Sequence, residues 1–534
     1  MSQLLQAPPR PQPPNHRRRP RYGFRRLVAL LLLLTVVALV WRSGVVGSLF
    51  DKGKPRGAGS PAGRPSPGHS SAPSSRASPA TQPIGTPVTA GPINTTFPGI
   101  TTFRGNASRT YYGEGPLPKH PKVLWRYPAS GGLCSRSNNL GVTKVWCGTG
   151  WTGQPNVIAR KDGRIEVRIG AYDGHYHFLN GRTGARLRPD LVTGDLAKGS
   201  ATSDPDGYPL YYAGSRDNKF RIVALDRPKP TVLWSIDANR DVPHKVWNDD
   251  WDGSALVLGD YLIEGGENSW LYVVRLNRHY DMAGKVQVDP RIVMLVPGYD
   301  AQLFKDLGDK DVSIEDSVAF RDGVVYFSNS GGLVQGWDIR DILRGGTRYE
   351  RVFRFWDGDE TDASIAIDDQ GYLYVGRHAS FNVPTRPQVR DHQVGSLMKL
   401  DPRKPNDPVV WSVQIGGFNP DGGILSTPAL YNGMVYVLDT AGALVAVDQR
   451  TGKVWWRKKL PGPTWMSPVP VDGQILVGDC SGVLHDFDIS SPHRRPTELW
   501  RVQLSGCVES TPAVWDDRIY VGTRGGAIYG IGDP

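Results

Sequence analysis

Ala446-Val447-Asp448-Gln449-Arg450-Thr451-Gly452-Lys453-Val454-Trp455-Trp456 recurs in weathered copies along the chain, flanked by paired signposts. Thr427-Pro428-Ala429 is echoed by Ser467-Pro468-Val469 and Thr511-Pro512-Ala513, and Trp411 by Trp456 and Trp500. The tryptophans lie 45 and 44 residues apart, the period of one repeated four-stranded sheet. Such a unit cannot bury both of its faces alone. Copies must pack side by side, and a closed ring does this without free edges.

Within this unit the pattern predicts strands over 425–430, 435–438, 444–448 and 453–456. Gly442 and Gly452 suit turns that need positive φ, and Asp448 and Thr451 can bond back to turn amides. Ala446 leaves room, and Trp456 offers a flat surface to the next unit. The same order of strands is expected near 134–180, 199–226, 249–277, 313–340, 361–401, 424–449, 466–489 and 508–532. That makes an all-β propeller of eight blades. Seven is the alternative, since the 361–401 copy carries an insertion with Pro384, Pro387 and Arg390. The last copy stops after a third strand, 527–531, whereas Val123-Leu124-Trp125 is a fourth-strand signature with no blade before it. The N-terminal strand is therefore expected to close the ring, with Trp125 joining Trp411, Trp456 and Trp500 as packing residues between blades.

The A-x-D-x-x-T-G-x-x-x-W pattern resembles the quinoprotein-type (PQQ-like) repeat of β-propellers. Thr102-Phe103-Arg104-Gly105-Asn106-Ala107-Ser108-Arg109-Thr110 is similar to the lead-in segment of such rings. The resemblance spans about residues 100–534 and is strongest over 409–534. It implies two kinds of protein. One is a PQQ-dependent alcohol or sugar dehydrogenase, with the quinone and a Ca²⁺ at the ring centre and an Asp as general base. The other is a non-catalytic envelope scaffold that keeps the repeat without a cofactor. None of the four cysteines are adjacent, so the vicinal disulfide of the alcohol dehydrogenases is absent, and no C-x-x-C-H haem motif occurs. No catalytic residue is carried over, because the motif consists of packing and turn residues.

The formal net charge of +11 belongs to the N-terminal part. Residues 1–97 hold 13 Lys/Arg and a single acid, Asp51, while the remainder has 50 bases against 51 acids. A folded part without basic excess argues against nucleic acid as a partner. Six arginines (Arg17, Arg18, Arg19, Arg21, Arg25 and Arg26) precede the apolar run 27–41, which extends through Arg42 to residue 50. This predicts a cytoplasmic tail at 1–26 and a single-pass signal anchor at 27–50, with the bulk of the chain extracytoplasmic. The rival is a cleaved signal peptide, but no convincing small-x-small site follows. No cysteine occurs before Cys134, which argues against a lipid anchor. Residues 51–97 are rich in Pro, Ser and Gly and read as a disordered tether, and 98–534 as the propeller.

Cys134 and Cys507 each precede a first strand, and Cys147 and Cys480 each end a second one, so all four are expected on one face. Disulfides Cys134–Cys147, within one blade, and Cys480–Cys507, between neighbours, follow. A zinc site lacks any C-x-x-C spacing.

The same face collects carboxylates and amides. Asp249, Asp250 and Asp252 precede one blade, and Glu267, Asn268 and Ser269 end its second strand. Glu315 and Asp316, with Asn329 and Ser330, belong to the next. Asp359, Glu360, Asp362, Asp421 and Glu509 follow. These are candidate ligands for Ca²⁺ or a cationic group; the competing reading is turn chemistry at strand ends. Trp247, Trp251, Trp270 and Trp465 are candidate stacking surfaces, or interface filler. His175 and His177 alternate on one strand and could be ligands or strand-end residues. The leading expectation is a membrane-tethered module that binds a protein, peptide or glycan partner in the cell envelope. The alternative is a PQQ- and Ca²⁺-dependent dehydrogenase.

Overall fold

Each copy of the repeat folds as four antiparallel strands, and the computed structural model closes eight such sheets into a ring. It describes residues 91–139, 141–151, 153–379, 385–417 and 422–534, all within the compact unit Thr81–Pro534. The first blade comprises Asn156–Ala159, Ile165–Ala171, His175–Asn180 and Leu191–Val192. The sixth comprises Ala429–Tyr431, Met434–Asp439, Ala443–Asp448 and Val454–Lys459. The eighth takes three strands from the C-terminus, Ala513–Trp515, Arg518–Thr523 and Ala527–Gly532, and its fourth, Lys122–Tyr127, from the N-terminal side. Lys122 pairs with Gly532 and Tyr127 with Ile528, so the ring closes as the Val123-Leu124-Trp125 signature predicted. The count is eight, not seven.

The repeat motif has three mechanical parts. In seven blades the pairing of third and fourth strands slips by one residue at an equivalent place. In the sixth blade the slip falls at Ala446/Val447, just before Asp448. A bulge there increases the local twist that each outer strand needs. Asp448 then accepts from the Thr451 amide at 2.8 Å and from its hydroxyl at 2.7 Å, fixing the turn. Finally, Trp125, Trp411 and Trp456 each donate their indole N–H to a carbonyl of the following blade, at Gly181, Gln449 and Pro492. Gly452 is required here, because a Cβ on it would meet the Trp411 ring at 2.8 Å.

The Ser/Thr-Pro signposts do something different. The first strand of the sixth blade begins later than the sequence suggests, at Ala429. Thr427 is used between blades: its amide donates to Ser467 Oγ at 2.9 Å, and its own hydroxyl receives the Ser364 amide at 3.2 Å. Equivalent bonds run from Gln154 to Ser200, Ser254 to Ser317 and Ser317 to Ser364. This relay of short hydroxyls ties inner edges together where apolar packing cannot satisfy backbone amides. Between blades the core is apolar and aromatic. Tyr212, Ile222 and Ile236 of the second blade pack against Trp251, Leu262 and Tyr272 of the third.

Three features depart from the sequence expectation. Cys134–Asn139 and Val142–Cys147 do not belong to the first blade but form a separate two-stranded hairpin. Its alternating residues imitate a blade's opening strands, and the first blade begins at Asn156, not at Cys134. Residues 91–97, expected in the tether, pack on the ring: Asn94 is buried and donates to the carbonyls of Phe97 and Gly99. The insertion of the fifth blade holds the helix Thr385–Val394. Both expected disulfides are formed, Cys134–Cys147 and Cys480–Cys507. Among the described residues no helix is long and apolar enough to cross a membrane; the expected anchor at 27–50, Pro384 and Asp421 lie outside them.

Candidate functional site

The channel is crossed on one side by the lead-in segment. Gly99–Ile100 pairs with the first blade and Gly113–Glu114 with the eighth. Between them, amides of Ser203, Phe320 and Ile367 donate to the carbonyls of Thr101, Ala107 and Ser108, so blades two, four and five hold the segment as well. Arg109 is fully buried and donates to Val318 O, Thr102 Oγ, Phe103 O and Ser254 O at 2.8–2.9 Å. Arg104 reaches Thr427 O in the sixth blade at 3.0 Å. Both arginines have positive φ, 54° and 60°, a conformation that costs about 1 kcal/mol or more for a non-glycine residue. The hydrogen bonds to opposite sides of the ring hold them there. Gly115 lies against Asp472, and the backbone amides of Asp516 and Asp517 donate to the carbonyls of Glu114 and Pro116. These are first-to-second-strand turns, so the plug sits on the face opposite the one bearing the cysteines.

On the cysteine-bearing face, loops of neighbouring blades bring three predicted acids together. One oxygen each of Asp250, Asp252 and Glu267 lies within 4.8 Å of the others. Lys198, from the loop before the second blade, sends its ammonium into their midst, 3.1 Å from Asp250, 3.2 Å from Glu267 and in contact with Asp252. Arg216 adds a 2.8 Å bond to Asp250, and Asn248 donates to Glu267 at 2.6 Å. Burial alone would lower the Lys198 ammonium, but the three carboxylates raise it well above its ordinary value. Asp250 is drawn down by Lys198 and Arg216 against the effect of burial. Burial holds Asp252 and Glu267 up, against the pull of Lys198. Three acids thus share two bases, and the lysine takes the point on which a cation's oxygen ligands would converge.

The other candidates fall around this centre or away from it. Glu315 is bonded to Ser313 Oγ at 2.9 Å and is raised by burial and then by Glu267. Asp362 accepts from Ser330 at 2.7 Å and is raised by burial and Glu315. Asp316 accepts the amide and hydroxyl of Ser328 and is pushed up to about 7 by burial. Glu509 pairs with Arg524 of the same, eighth blade at 3.2 Å; the sulfurs near it are tied in the disulfide. Asp249 points elsewhere, to Asn239 and Lys245. Asn268 spends its amide on Ala238 O and the Tyr272 hydroxyl, inside the blade. Trp251 is buried between Phe220 and Tyr272, and Trp270 donates to His244 O; neither is a platform for a ligand. His177 is buried and clamped between Asp173 and Asp190 at 3.2 and 3.3 Å.

Two residues that the sequence reading passed over complete the picture. Lys198, in Lys198-Gly199-Ser200-Ala201, occupies the same pre-strand position as Asp252 in Asp252-Gly253-Ser254-Ala255 of the next blade. That equivalence was the available signal. Glu264 lies in the wholly buried strand Tyr261–Gly266, and neither carboxylate oxygen has a hydrogen-bond partner. Burial raises it well above its ordinary value, with Arg109 of the plug as its main attractive charge.

These raised acids set a pH dependence. Asp316 and Asp311 lie near 7 through burial, with Glu360 adding to Asp311, and Glu264, Glu315 and Asp362 are higher than ordinary too. From about pH 4 up to those values the folded chain keeps protons that the unfolded chain has lost. Their contribution is complete below the ordinary carboxylate range and disappears as pH rises through the raised values. Thermal melts are expected to show a higher midpoint at about pH 5 than at about pH 8. Each retained proton contributes about 1.4 kcal/mol per pH unit. A midpoint that climbs over the same interval would contradict this.

The family model for the outer membrane protein assembly factor BamB matches residues 394–532. BamB of Shewanella oneidensis is 29% identical over 25% of this chain and 31% of its own length. The quinoprotein ethanol dehydrogenase of Pseudomonas aeruginosa is 22% identical over 68% of this chain and 56% of its own. The chain therefore spans about a third to a half of these relatives. The crystal structure of quinohemoprotein alcohol dehydrogenase from Comamonas testosteroni superposes with a TM-score of 0.52 at 12% identity, covering 82% of this chain and 80% of that one. Repeat motif, blade architecture and relatives agree: the chain is an eight-bladed β-propeller, and the family match and relatives support a PQQ-like repeat.

Proposed function

We propose that this chain is a membrane-tethered, extracytoplasmic propeller that acts as a binding or scaffold module in the cell envelope. The observation that carries the reading is Lys198. Its ammonium already neutralises the converging carboxylates of the ring, so a Ca²⁺ there would have to displace a buried, fully paired lysine. An anionic quinone would meet Glu315 and Asp311 at the same mouth, both raised by burial and then by neighbouring carboxylates. The donor set does not fit a Ca²⁺–quinone pair, and no catalytic step is assigned. A cationic partner segment suits this mouth better. The hairpin on the same face leaves Val142 and Val145 55% and 65% exposed, apolar surface that a partner could cover. The likeness to an assembly factor supports a protein partner, and the apolar run 27–50 would supply the membrane anchor.

The second reading, a PQQ- and Ca²⁺-dependent dehydrogenase, draws on the alignment with the ethanol dehydrogenase over 68% of the chain. Titrating the full chain in detergent with PQQ and Ca²⁺ separates the two. The expected result is no saturable quinone absorbance and no dye reduction with alcohols or aldoses. Stoichiometric quinone binding with alcohol-dependent dye reduction would overturn the scaffold reading.

A further inference from the structure

On the plugged face a second site lies between the first and second blades. A cavity of about 320 Å³ is lined by Arg160, Lys161, Arg168 and Arg188, with Ile158 and Leu225 as buried apolar floor and Phe97 and Tyr208 as aromatic walls. This volume is at the small end of ligand sites. Its electrostatics are unbalanced. Asp204, the lining acid, is taken by Arg278 at 2.7 Å and by the Tyr212 hydroxyl at 2.7 Å. Behind the wall a single carboxylate, Glu166, serves three arginines: Arg168 at 2.8 Å, Arg160 in direct contact and Arg188 at 3.7 Å. One acid cannot neutralise four cations.

Arg168 and Arg188 are positioned by the blades, while Arg160 is exposed at the rim. Arg168 is buried on the second strand of the first blade and holds Ser203 Oγ of the second blade at 3.0 Å. Arg188 donates one terminal nitrogen to Leu225 O at 2.6 Å, and its Nε faces the Glu166 carboxylate at 3.7 Å, beyond hydrogen-bond distance.

We infer that this pocket binds a small organic anion, with a phosphate or carboxylate head held by Arg188, Arg160 and Lys161 and a planar or apolar body laid between Phe97 and Tyr208. Planar guanidinium groups favour such heads, and Tyr208 is held in place by stacking on Tyr280 and by Arg278 over its ring. The site is on the face away from the acidic mouth and does not depend on what that mouth binds.

Isothermal titration of the full chain with phenyl phosphate, benzoate, inorganic phosphate and benzyl alcohol tests this. The expected result is saturable binding of phenyl phosphate or benzoate with a Kd of about 1 mM or tighter. Inorganic phosphate should bind more weakly and benzyl alcohol not at all. Comparing the two organic anions tells a phosphate head from a carboxylate. Arg188→Gln should weaken binding about tenfold or more. Lys161→Gln, at an exposed position that folding does not need, should weaken it less and steepen no melt. No saturable heat from either organic anion overturns the proposal. So does unchanged affinity in both variants, or inorganic phosphate binding as tightly as phenyl phosphate.

Discussion

A chain that begins at residue 129 will not form a cooperative unit, whereas one that begins at residue 91 will melt as the full chain does. The first lacks Lys122–Tyr127, the fourth strand of the eighth blade. Its loss leaves Ala527–Gly532 as an open edge and takes Trp125 out of the contact with Tyr520 and Gly181. It also lacks the plug, whose strands and carbonyls join blades one, two, four, five and eight. A ring differs from a linear repeat array in this respect. Each interface in a ring is needed to keep every other one buried, so one missing strand exposes the whole inner surface. A third chain, beginning at residue 117, keeps the closing strand and loses the plug. It should still melt cooperatively but several kcal/mol less stably, since Val318 O, Ser254 O and Thr427 O each lose a buried guanidinium donor. Circular dichroism melts and hydrogen exchange of the three chains decide the matter. Cooperative melting of the 129–534 chain at the full-length midpoint refutes ring closure as the source of stability.

The architecture was legible because the repeat advertises its own mechanics. Asp448, Thr451 and Gly452 form one turn, and Trp456 reaches the next blade from a fixed offset, so spacing alone counts blades. The closing role of Trp125 followed from an unpaired fourth-strand signature. The pairing of Cys134 with Cys147 was legible for a related reason, since strand polarity puts both on one face. Their blade was misread because a hairpin of alternating residues looks the same whether or not it joins a larger sheet. The site was less legible. Lys198 meets Asp250, Asp252 and Glu267 from 52 to 69 residues away in sequence, and nothing local distinguishes it from a solvated lysine. Scanning for acids found the ligands of a cation without finding the cation. Asp249, adjacent to Asp250, turns the other way because neighbours on an extended segment alternate sides. The crossing of the channel by Arg104 and Arg109 was invisible too, since a short segment with two arginines and a glycine carries no sign of burial.

Replacing Lys198 with methionine is expected to cost about 3–5 kcal/mol at about pH 8, the largest effect of any single substitution on the mouth. Methionine keeps the apolar stem and removes the charge, so the cost isolates what the ammonium does for Asp250, Asp252 and Glu267. At about pH 5 the loss should shrink, because Asp252 and Glu267 are held above their ordinary range by burial and take up protons in place of the missing cation. The same variant should acquire a property the parent lacks. Three buried carboxylates with oxygens within 4.8 Å of one another form an oxygen-rich cage once the lysine is gone. Ca²⁺ at about 10 mM should therefore raise the variant's midpoint and leave the parent's unchanged; binding at a hundred times Kd contributes about 2.7 kcal/mol. Lys198→Arg serves as the control, retaining charge and gaining no response to Ca²⁺. If the methionine variant is as stable as the parent at about pH 8, the cluster is not held by its lysine. If the parent itself gains stability from Ca²⁺, the ammonium yields to metal, and the case against a quinoprotein centre fails with it.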